Sequence, residues 1–361
     1  MLATVIVLIL IVAGIAYFYM KCNIVTSLTN TLAALFGSIL AFSYYEQLAG
    51  LLASEVWAVT WIQSAAFLLI FFFGFLFIRV LSGFLVKSGF DVSHMAKLVV
   101  TLICGLLTGL IVSGVLLVAV ALSPLPPSSF YSRYPVSQPI HPDIDNTPII
   151  NADGFVTSVY SWISRGSLSS RKSFAVLHAD YLAQVHLDRY PLGQNIPAVC
   201  SPKAIKLPIG NVQPVRLFDF PDRQRMTVVH LGISGNAVAI GGAATSKSGA
   251  FDRGEVISFI PAQIRLITKP QDQADNNTGS GEVVYPVGIL HNGNLEAISL
   301  NQEMKEEVAN LGPERYWWLD LVFQVPSGQR AVLLSFKQNA IIELPKAVQT
   351  NEDIEKALNV N

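Results

Sequence analysis

The segment TLICGLLTGLIVSG, residues 101–114, decides the fold class of this chain. It lies inside an uncharged stretch from 98 to 122, and a bilayer core of about 30 Å needs about 20 helical residues to cross. Three small residues recur at every fourth position of the segment: Gly105, Gly109 and Ser113. The segment therefore predicts a membrane helix, and its small residues indicate either a helix-packing face or the wall of a transport path.

Three more stretches are long and apolar enough to cross a membrane, at residues 2–20, 24–45 and 57–78. The first has no cationic region and no small-residue cleavage site before Lys21, so we interpret it as a retained anchor rather than a signal peptide. Residues 1–124 are therefore predicted to form an all-α domain of four transmembrane helices, with the lipid bilayer as a partner.

The composition points to a membrane part and a soluble part. Of 361 residues, 52% are hydrophobic and 14% charged, which is too apolar an average for an ordinary soluble enzyme. Most of the charge and proline follows residue 124, so a soluble region is expected there. The formal net charge of −1 gives no basic surface, and we therefore expect no nucleic-acid partner.

Two of the spans carry a stripe of small residues with the same spacing. The stripes consist of Ala33, Gly37 and Ala41 in span two, and Gly105, Gly109 and Ser113 in span four. Small side chains let helix backbones approach closely in lipid, so we predict that these stripes pack spans two and four together. No ionisable residue falls within the four uncharged stretches, which favours packing over an ion or proton path.

Lysine and arginine residues predict the orientation of the spans. Lys21 follows the first span, and Arg79, Lys87 and Lys97 lie between the third and fourth. Cationic loops are retained on the cytoplasmic side. Both termini, and with them residues 125–361, are therefore predicted to be extracytoplasmic, which in a Gram-negative cell means the periplasm.

The first third of the chain resembles a known family. The segments AFSYYEQLAGLL at 41–52, SAAFLLIFFFGFLFIRVLSGFL at 64–85 and CGLLTGLIVSG at 104–114 are similar to the colicin V production (CvpA) family. The resemblance implies a multi-pass inner-membrane protein linked to colicin V production, a toxin biosynthetic process, and to envelope homeostasis. Some members carry a trypsin-like protease after the four spans, so an extracytoplasmic hydrolase is one implied activity.

Four regions are predicted after the spans. Residues 125–150 are rich in proline and turn formers and predict an extended linker. Residues 151–224 predict a helical connector, residues 225–346 an extracytoplasmic β domain, and residues 347–361 a C-terminal tail.

The connector predicts two helices. Asn151 or Asp153 caps the first, which either lies beside the last span with Trp162 at the membrane interface or docks against the soluble domain. A second, continuous helix is predicted over residues 171–190 from its helical spacing of apolar residues.

The β domain is predicted from short segments of alternating polarity. They read TVVHL, NAVAI, EVISFI, QIRLI, EVVYPVGIL, YWWLDLVFQV, RAVLLSF and AIIEL. Their number and turn residues predict a β-sandwich, with one helical insertion near residues 300–310. The segment FQVPSGQRAVLLSF, residues 323–336, resembles the closing hairpin of bacterial Ig-like envelope domains. We therefore predict an Ig-like sandwich.

The clearest strand, residues 316–325, has two different faces. The predicted core face carries Trp317, Leu319, Leu321, Phe323 and Val325, and the next strand turns Val332, Leu334 and Phe336 inward. The opposite face carries Trp318, Asp320 and Gln324. We predict that these three form a partner surface for an envelope protein or glycan, and that the chain is able to form a homo-oligomer.

The sequence predicts no metal or cofactor site. His178 and His186 are eight residues apart on the predicted helix, about 12 Å, which is too far to share one ion. Asp272, Asp275 and Asn277 offer oxygen ligands, but the loop lacks the spacing of a calcium-binding loop.

Catalytic residues are also not predicted. Ser234 in GISGN lacks the GDSGG context of trypsin-like enzymes. Cys200, for its part, has no neighbouring Cys or His at metal-ligand spacing. We therefore expect a membrane protein whose β domain binds or senses something, rather than an enzyme. The alternatives are a channel or small-solute export component and, third, an extracytoplasmic hydrolase.

Overall fold

The computed structural model divides the chain into two compact units. The first, which we call the membrane unit, holds residues 1–136 and 144–163, and the second, the β unit, holds residues 137–143 and 164–361. The structure describes residues 2–53, 61–85, 93–126, 131, 133–134, 142, 146–166, 168–192, 196, 198, 200–210, 212–218, 226–235, 256–276, 279–291, 294–311 and 314–349.

Four long helices form most of the membrane unit. They are α1 (Leu2–Lys21), α2 (Ile24–Ala53), α3 (Ile62–Leu85) and α4 (His94–Ala121). All four are long and apolar enough to cross a membrane, which confirms the prediction of four long apolar helices. Polar side chains set two helix starts, since Asn23 Oδ1 accepts from the Thr26 amide at 2.7 Å and Ser93 Oγ from the Ala96 amide at 3.3 Å.

Glycines determine which helices approach most closely. A Cβ on Gly37 would lie 2.9 Å from the Phe71 carbonyl oxygen of α3. A Cβ on Gly109 would lie 2.8 Å from the Cα of Ile11 in α1, and Gly105 meets α1 at the same distance. The prediction that the two stripes pack spans two and four together is therefore wrong. The stripes have equal spacing, so spacing alone did not identify their partners.

Helices α2 and α4 do touch, through hydroxyl groups. Thr31 Oγ1 lies 2.9 Å from Thr108 Oγ1 and 3.3 Å from the Cys104 carbonyl oxygen. The other predicted packing residues, Ala33, Ala41 and Ser113, are buried. A polar contact thus joins the α1–α4 pair to the α2–α3 pair.

A fifth helix, α5 (Ala152–Arg165), packs on the helices of the membrane unit. Asn151 caps it, since its Oδ1 accepts a hydrogen bond from the third helical amide at 3.1 Å. The Ala152 carbonyl occupies the space that a Cβ on Gly114 of α4 would need. Trp162 is 73% exposed. Of the two predicted positions for this helix, the structure has the one beside the last span.

The β unit begins with two short helices, α6 (Phe174–Leu177) and α7 (Tyr181–Leu192). The prediction of one helix over residues 171–190 is therefore wrong. The backbone of His178 leaves the helical region, with φ −123° and ψ 44°. Its Nδ1 lies 2.7 Å from Gln184 Oε1, a contact that ties the turn to the second helix.

The rest of the described β unit consists mainly of strands. They are β1 (Ile205–Lys206), β2 (Val215–Phe218), β3 (Met226–Ser234), β4 (Val256–Phe259), β5 (Ile264–Pro270), β6 (Glu282–Val284), β7 (Pro286–His291), β8 (Asn294–Ala297), β9 (Met304–Glu307), β10 (Tyr316–Phe323), β11 (Gln329–Phe336), β12 (Ala340–Glu343) and β13 (Val348–Gln349). The sheet orders are β13-β2-β3-β10-β7-β8 with β1 also on β3, β12-β11-β5-β6, and β4-β9. The pairs are antiparallel except β13 with β2, and the predicted mainly β domain is confirmed.

Some elements differ from the predicted pattern. Residues 300–310 hold strand β9 and one turn of 3₁₀ helix, so the predicted helical insertion there is wrong. Met304 packs against the core and its strand pairs with β4, so alternation prevails over helical propensity. Strands β1 and β2 fall within the predicted connector, and β13 falls within the predicted tail. The segment NAVAI, 236–240, lies outside the described residues.

The main core draws residues from both larger sheets. Leu321 and Phe323 of β10 belong to it together with Leu334 and Phe336 of β11. The five residues predicted on the core face of β10 all lie in or against this core. Because β10 and β11 belong to different sheets, FQVPSGQRAVLLSF crosses between sheets, and the predicted hairpin is wrong.

Val332 departs from its predicted inward position. The ladder between β11 and β5 slips between Ala331 and Leu333. The extra residue lets Val332 pack against a second cluster, which includes Val176 and Leu177 of α6.

Candidate functional site

The outward side of β10 carries the predicted partner residues Trp318 and Asp320. Trp318 stands opposite Gly232 of β3, and a Cβ on this glycine would lie 2.9 Å from the indole ring. The glycine therefore leaves the space that the indole needs. The imidazole of His230 stacks on the indole, with ring centroids 5.0 Å apart and planes at 5°.

Asp320 joins two neighbouring strands through its carboxylate. Its Oδ1 accepts from Arg216 Nη2 of β2 at 2.6 Å and lies 2.9 Å from Nδ1 of His230. Burial alone would raise the pKa of Asp320. The hydrogen bond from His230 and the charge of Arg216 outweigh burial and hold this pKa below its ordinary value. The carboxylate is thus fixed as an anion beside the indole.

An aromatic and a cation extend the same surface along β10. The Tyr316 ring lies 5.9 Å from that of Trp318, and Lys206 Nζ lies 5.0 Å from the Tyr316 centroid. We call the group of Arg216, His230, Tyr316, Trp318 and Asp320 the Trp318 face. Arg216 is buried and the other four are half-buried.

The third predicted partner residue, Gln324, lies elsewhere. Strand β10 ends at Phe323, and Gln324 lines a separate cavity of 920 Å³ beside Tyr285 and Pro326. The structure therefore brings Trp318 and Asp320 together and leaves Gln324 out of the Trp318 face.

Sequence reasoning missed three members of the Trp318 face, one of which is Tyr316, assigned only to the strand. Arg216 lies in VRLF, a strand of only four residues that the alternation did not reveal. His230 was assigned only to a strand. The usable signal was that Val229 and Leu231 are core residues, which turns His230 to the outward side.

The Trp318 face offers stacking and hydrogen bonding. Ser234 lies on the same strand as His230, four residues further on. At about 3.3 Å per residue the two are about 13 Å apart along β3, too far for a nucleophile and its base. Ser234 and His230 therefore do not form a nucleophile–base pair.

The candidate metal ligands do not come together. Within the described part of the chain, no three His, Cys, Asp or Glu side chains converge in a way that could hold a metal ion. The His178 ring contacts Gln184, and Asp275 forms an ion pair with Arg330 at 2.6 Å. Asn277 lies outside the described residues.

A second polar group lies in the membrane unit. Arg133 Nη1 donates to Asp153 Oδ2 at 3.1 Å, and the Tyr131 hydroxyl donates to the same oxygen at 2.9 Å. Side-chain exposure is 7% for Arg133 and 1% for Asp153. Asn151 Oδ1 also lies 3.3 Å from Arg133 Nη1. We call these four residues the Asp153 cluster.

The Asp153 cluster packs against the apolar helices. Tyr131 and Ala152 share a buried cluster with Val7 of α1. Ala152 also meets Gly114, which is seven residues, about 10 Å, before the end of α4. Because Arg133 and Asp153 come from segments outside the spans, the absence of charge within the spans gave no sign of this cluster.

Fold and site together define a membrane protein with four candidate spanning helices and a mainly β domain of antiparallel sheets. One side of strand β10 in the β domain carries aromatic and charged side chains. Comparisons with protein-family models, with curated proteins and with solved structures gave no match for this chain.

Proposed function

We propose that this protein is a membrane-anchored binding protein whose β domain presents the Trp318 face to an envelope protein or glycan. The observation that carries the proposal is the indole of Trp318, stacked on His230 beside the fixed Asp320 carboxylate. Tryptophan and tyrosine are enriched among the residues that contribute most binding energy at interfaces, and both occur half-buried on this face.

The sequence supports a more specific setting. We propose an inner-membrane protein of CvpA type, linked to colicin V production and envelope homeostasis, with an extracytoplasmic β domain. The support is the likeness of the spans and the position of the cationic loops. We further propose a sandwich of the Ig-like type for the β domain, supported by two sheets that share one core.

The binding function is tested by photo-crosslinking in intact cells. A benzophenone amino acid replaces Tyr316 on the face, or Trp162 in the membrane unit as a control for an exposed aromatic position. We expect an adduct to envelope protein or glycan from position 316 that disappears when Trp318→Ala is added. The same adducts from both positions, or an adduct indifferent to Trp318→Ala, would sink the proposal.

A second function, a channel or small-solute export component, is favoured by the Asp153 cluster. Ionisable residues at membrane depth commonly mark ion or substrate paths. The test is proton and potassium flux in proteoliposomes. Flux that is lost in Asp153→Asn and kept in the exposed control Glu303→Gln supports it, whereas no flux of either ion from the parent protein argues against it.

A further inference from the structure

Two adjoining cavities lie at the end of the β unit where β5 stops and β11 starts. The smaller measures 240 Å³ and the larger 890 Å³. Asp275, Arg330 and Lys346 line both. The cavities are therefore parts of one cleft, which we call the Arg330 cleft.

The Arg330 cleft carries an excess of positive charge. Four cationic side chains and two carboxylates line the smaller cavity: Arg171, Lys269, Arg330 and Lys346, with Asp275 and Glu343. The cations outnumber the carboxylates by two. A concave site with this balance attracts anions from solution.

The strand register forces two of these cations together. Lys269 of β5 stands directly opposite Arg330 of β11 in the antiparallel ladder. Like charges at such positions repel each other. Lys269 is 2% exposed, its Nζ donates to the Asn276 carbonyl at 2.8 Å, and burial lowers its pKa. An anion between the two cations would offset both the repulsion and the burial cost.

Asp275 shows where such an anion fits. Its Oδ1 lies 2.6 Å from Arg330 Nη2, while 72% of its side chain is exposed. The hydrogen bond from Arg330, followed by the charges of Arg330, Lys346 and Arg171, holds the pKa of Asp275 below its ordinary value. Exposed ion pairs contribute little stability, so an external anion is able to displace this carboxylate.

We propose that the Arg330 cleft binds a phosphate group, with Arg330 and Lys269 as its main contacts and Asp275 as a built-in competitor. The planar guanidinium matches phosphate oxygens with two parallel donors. The smaller cavity receives the phosphate. The larger cavity, lined in part by Leu217 and Val325, receives the organic part of a phosphate ester. The cleft shares no residue with the Trp318 face, so the two proposals stand or fall separately.

The test is isothermal titration calorimetry. Inorganic phosphate or glycerol 3-phosphate is titrated into the full chain held in nanodiscs of zwitterionic lipid. Arg330→Gln should weaken binding about tenfold through loss of a charge-assisted contact. Asp275→Asn should tighten binding about two- to fivefold, because it removes the competitor. The matched controls are Lys305→Gln and Glu303→Gln, which break an ion pair of 2.9 Å on and beside β9, outside the cleft.

Opposite effects of the two cleft variants, with neither control changing affinity, support the proposal. Unchanged or weaker binding by folded Asp275→Asn overturns it, as does equal tightening by Glu303→Gln, which would mean a general effect of net charge. A second arm uses nanodiscs that contain phosphatidylglycerol. If inorganic phosphate binds in zwitterionic nanodiscs but not in nanodiscs that contain phosphatidylglycerol, the phosphate group that occupies the cleft is that of the lipid headgroup. No binding in either arm also overturns the proposal.

Discussion

The membrane unit and the β unit bury charged side chains in different ways. In the membrane unit, Arg133 and Asp153 lie 3.1 Å apart and neutralise each other. In the β unit, Lys337 is 1% exposed, and its Nζ has no hydrogen-bond partner in the part of the chain that the structure describes. Arg133 is therefore stabilised by a specific partner, whereas Lys337 is buried at a cost.

The backbone explains how the β unit tolerates Lys337. Its amide donates to the Gln263 carbonyl at 2.6 Å, and its carbonyl accepts from Arg265 Nη2 at 3.2 Å. The residue also adopts φ 52°, a left-handed conformation uncommon outside glycine. Burial lowers the pKa of Lys337 to about 8 and raises that of Asp188 to about 6. These hydrogen bonds fix the backbone of Lys337 in a tight turn, and this conformation directs the Lys337 side chain into the interior.

The three buried cysteines allow the two units to be followed separately in the full chain. Cys22 and Cys104 belong to the membrane unit, and Cys200 belongs to the β unit. A thiol-reactive dye in detergent reports the opening of the membrane unit when Cys200 is replaced by alanine. It reports the β unit when Cys22 and Cys104 are replaced instead.

The largest effect is expected from breaking the pair in the membrane unit. Arg133→Leu leaves Asp153 as an unpaired buried charge and should destabilise this unit by about 3–5 kcal/mol. The double variant with Asp153→Leu removes both charges and should recover most of that loss. Thermal unfolding followed at Cys22 and Cys104 measures both. A double variant as unstable as Arg133→Leu would show that the charges themselves are not what matters.

The next largest loss of stability is expected where α4 approaches α1 most closely. Gly109→Leu places a side chain against the Ile11 backbone, where even a Cβ would lie at 2.8 Å, and should cost about 3 kcal/mol. Assembly of the four helices should weaken before any transport changes. Gly50→Leu is the matched control, because a Cβ at Gly50 would have nothing within 4 Å. Equal stability of the two variants would contradict a packing role for Gly109.

The buried amine of Lys337 should make the stability of the β unit depend on pH. Its folded pKa, about 8, lies below the ordinary 10.5, so the unfolded chain binds a proton that the folded chain lacks between these values. Stability should therefore rise with pH through this window. Lys337→Met should stabilise the β unit by about 2 kcal/mol at neutral pH and abolish the rise. Circular dichroism melts measure this.

The matched control for that experiment is Lys305→Met, which removes an exposed lysine with 60% side-chain exposure. It should keep the rise in stability above pH 8. If the parent shows no rise in this window, or Lys305→Met loses it as well, the buried amine of Lys337 is not its source.

Elements that depend on local pattern were predictable from the sequence. The four membrane helices follow from uncharged length, and the core face of β10 follows from the alternation of Leu319, Leu321 and Phe323. The helix or strand against which each element packs was not predictable in the same way. Equal spacing in two stripes does not say that Gly37 meets α3 while Gly109 meets α1, and alternation does not say that β10 and β11 join different sheets.

The candidate sites show the same division. Trp318 and Asp320 were predictable because they share one strand face, whereas Arg216 reaches them from a strand too short to recognise. The Asp153 cluster was not predictable, because the chain returns to the helices after leaving the last span. Sites built from one element are visible in the sequence, and sites assembled by tertiary contacts are not.

The smallest effect on stability is expected at Gly232 of the β unit, whose surroundings differ from those of Gly109. A Cβ on Gly232 would meet an aromatic ring rather than a backbone, at 2.9–3.0 Å from the Trp318 indole. Gly232→Ala should therefore shift the indole off His230 and cost about 1 kcal/mol or less. In a Trp318→Ala background the same substitution should cost almost nothing, because the ring that it displaces is gone. An equal cost in both backgrounds, measured at Cys200, would mean that Gly232 is needed for its backbone and not for the stack.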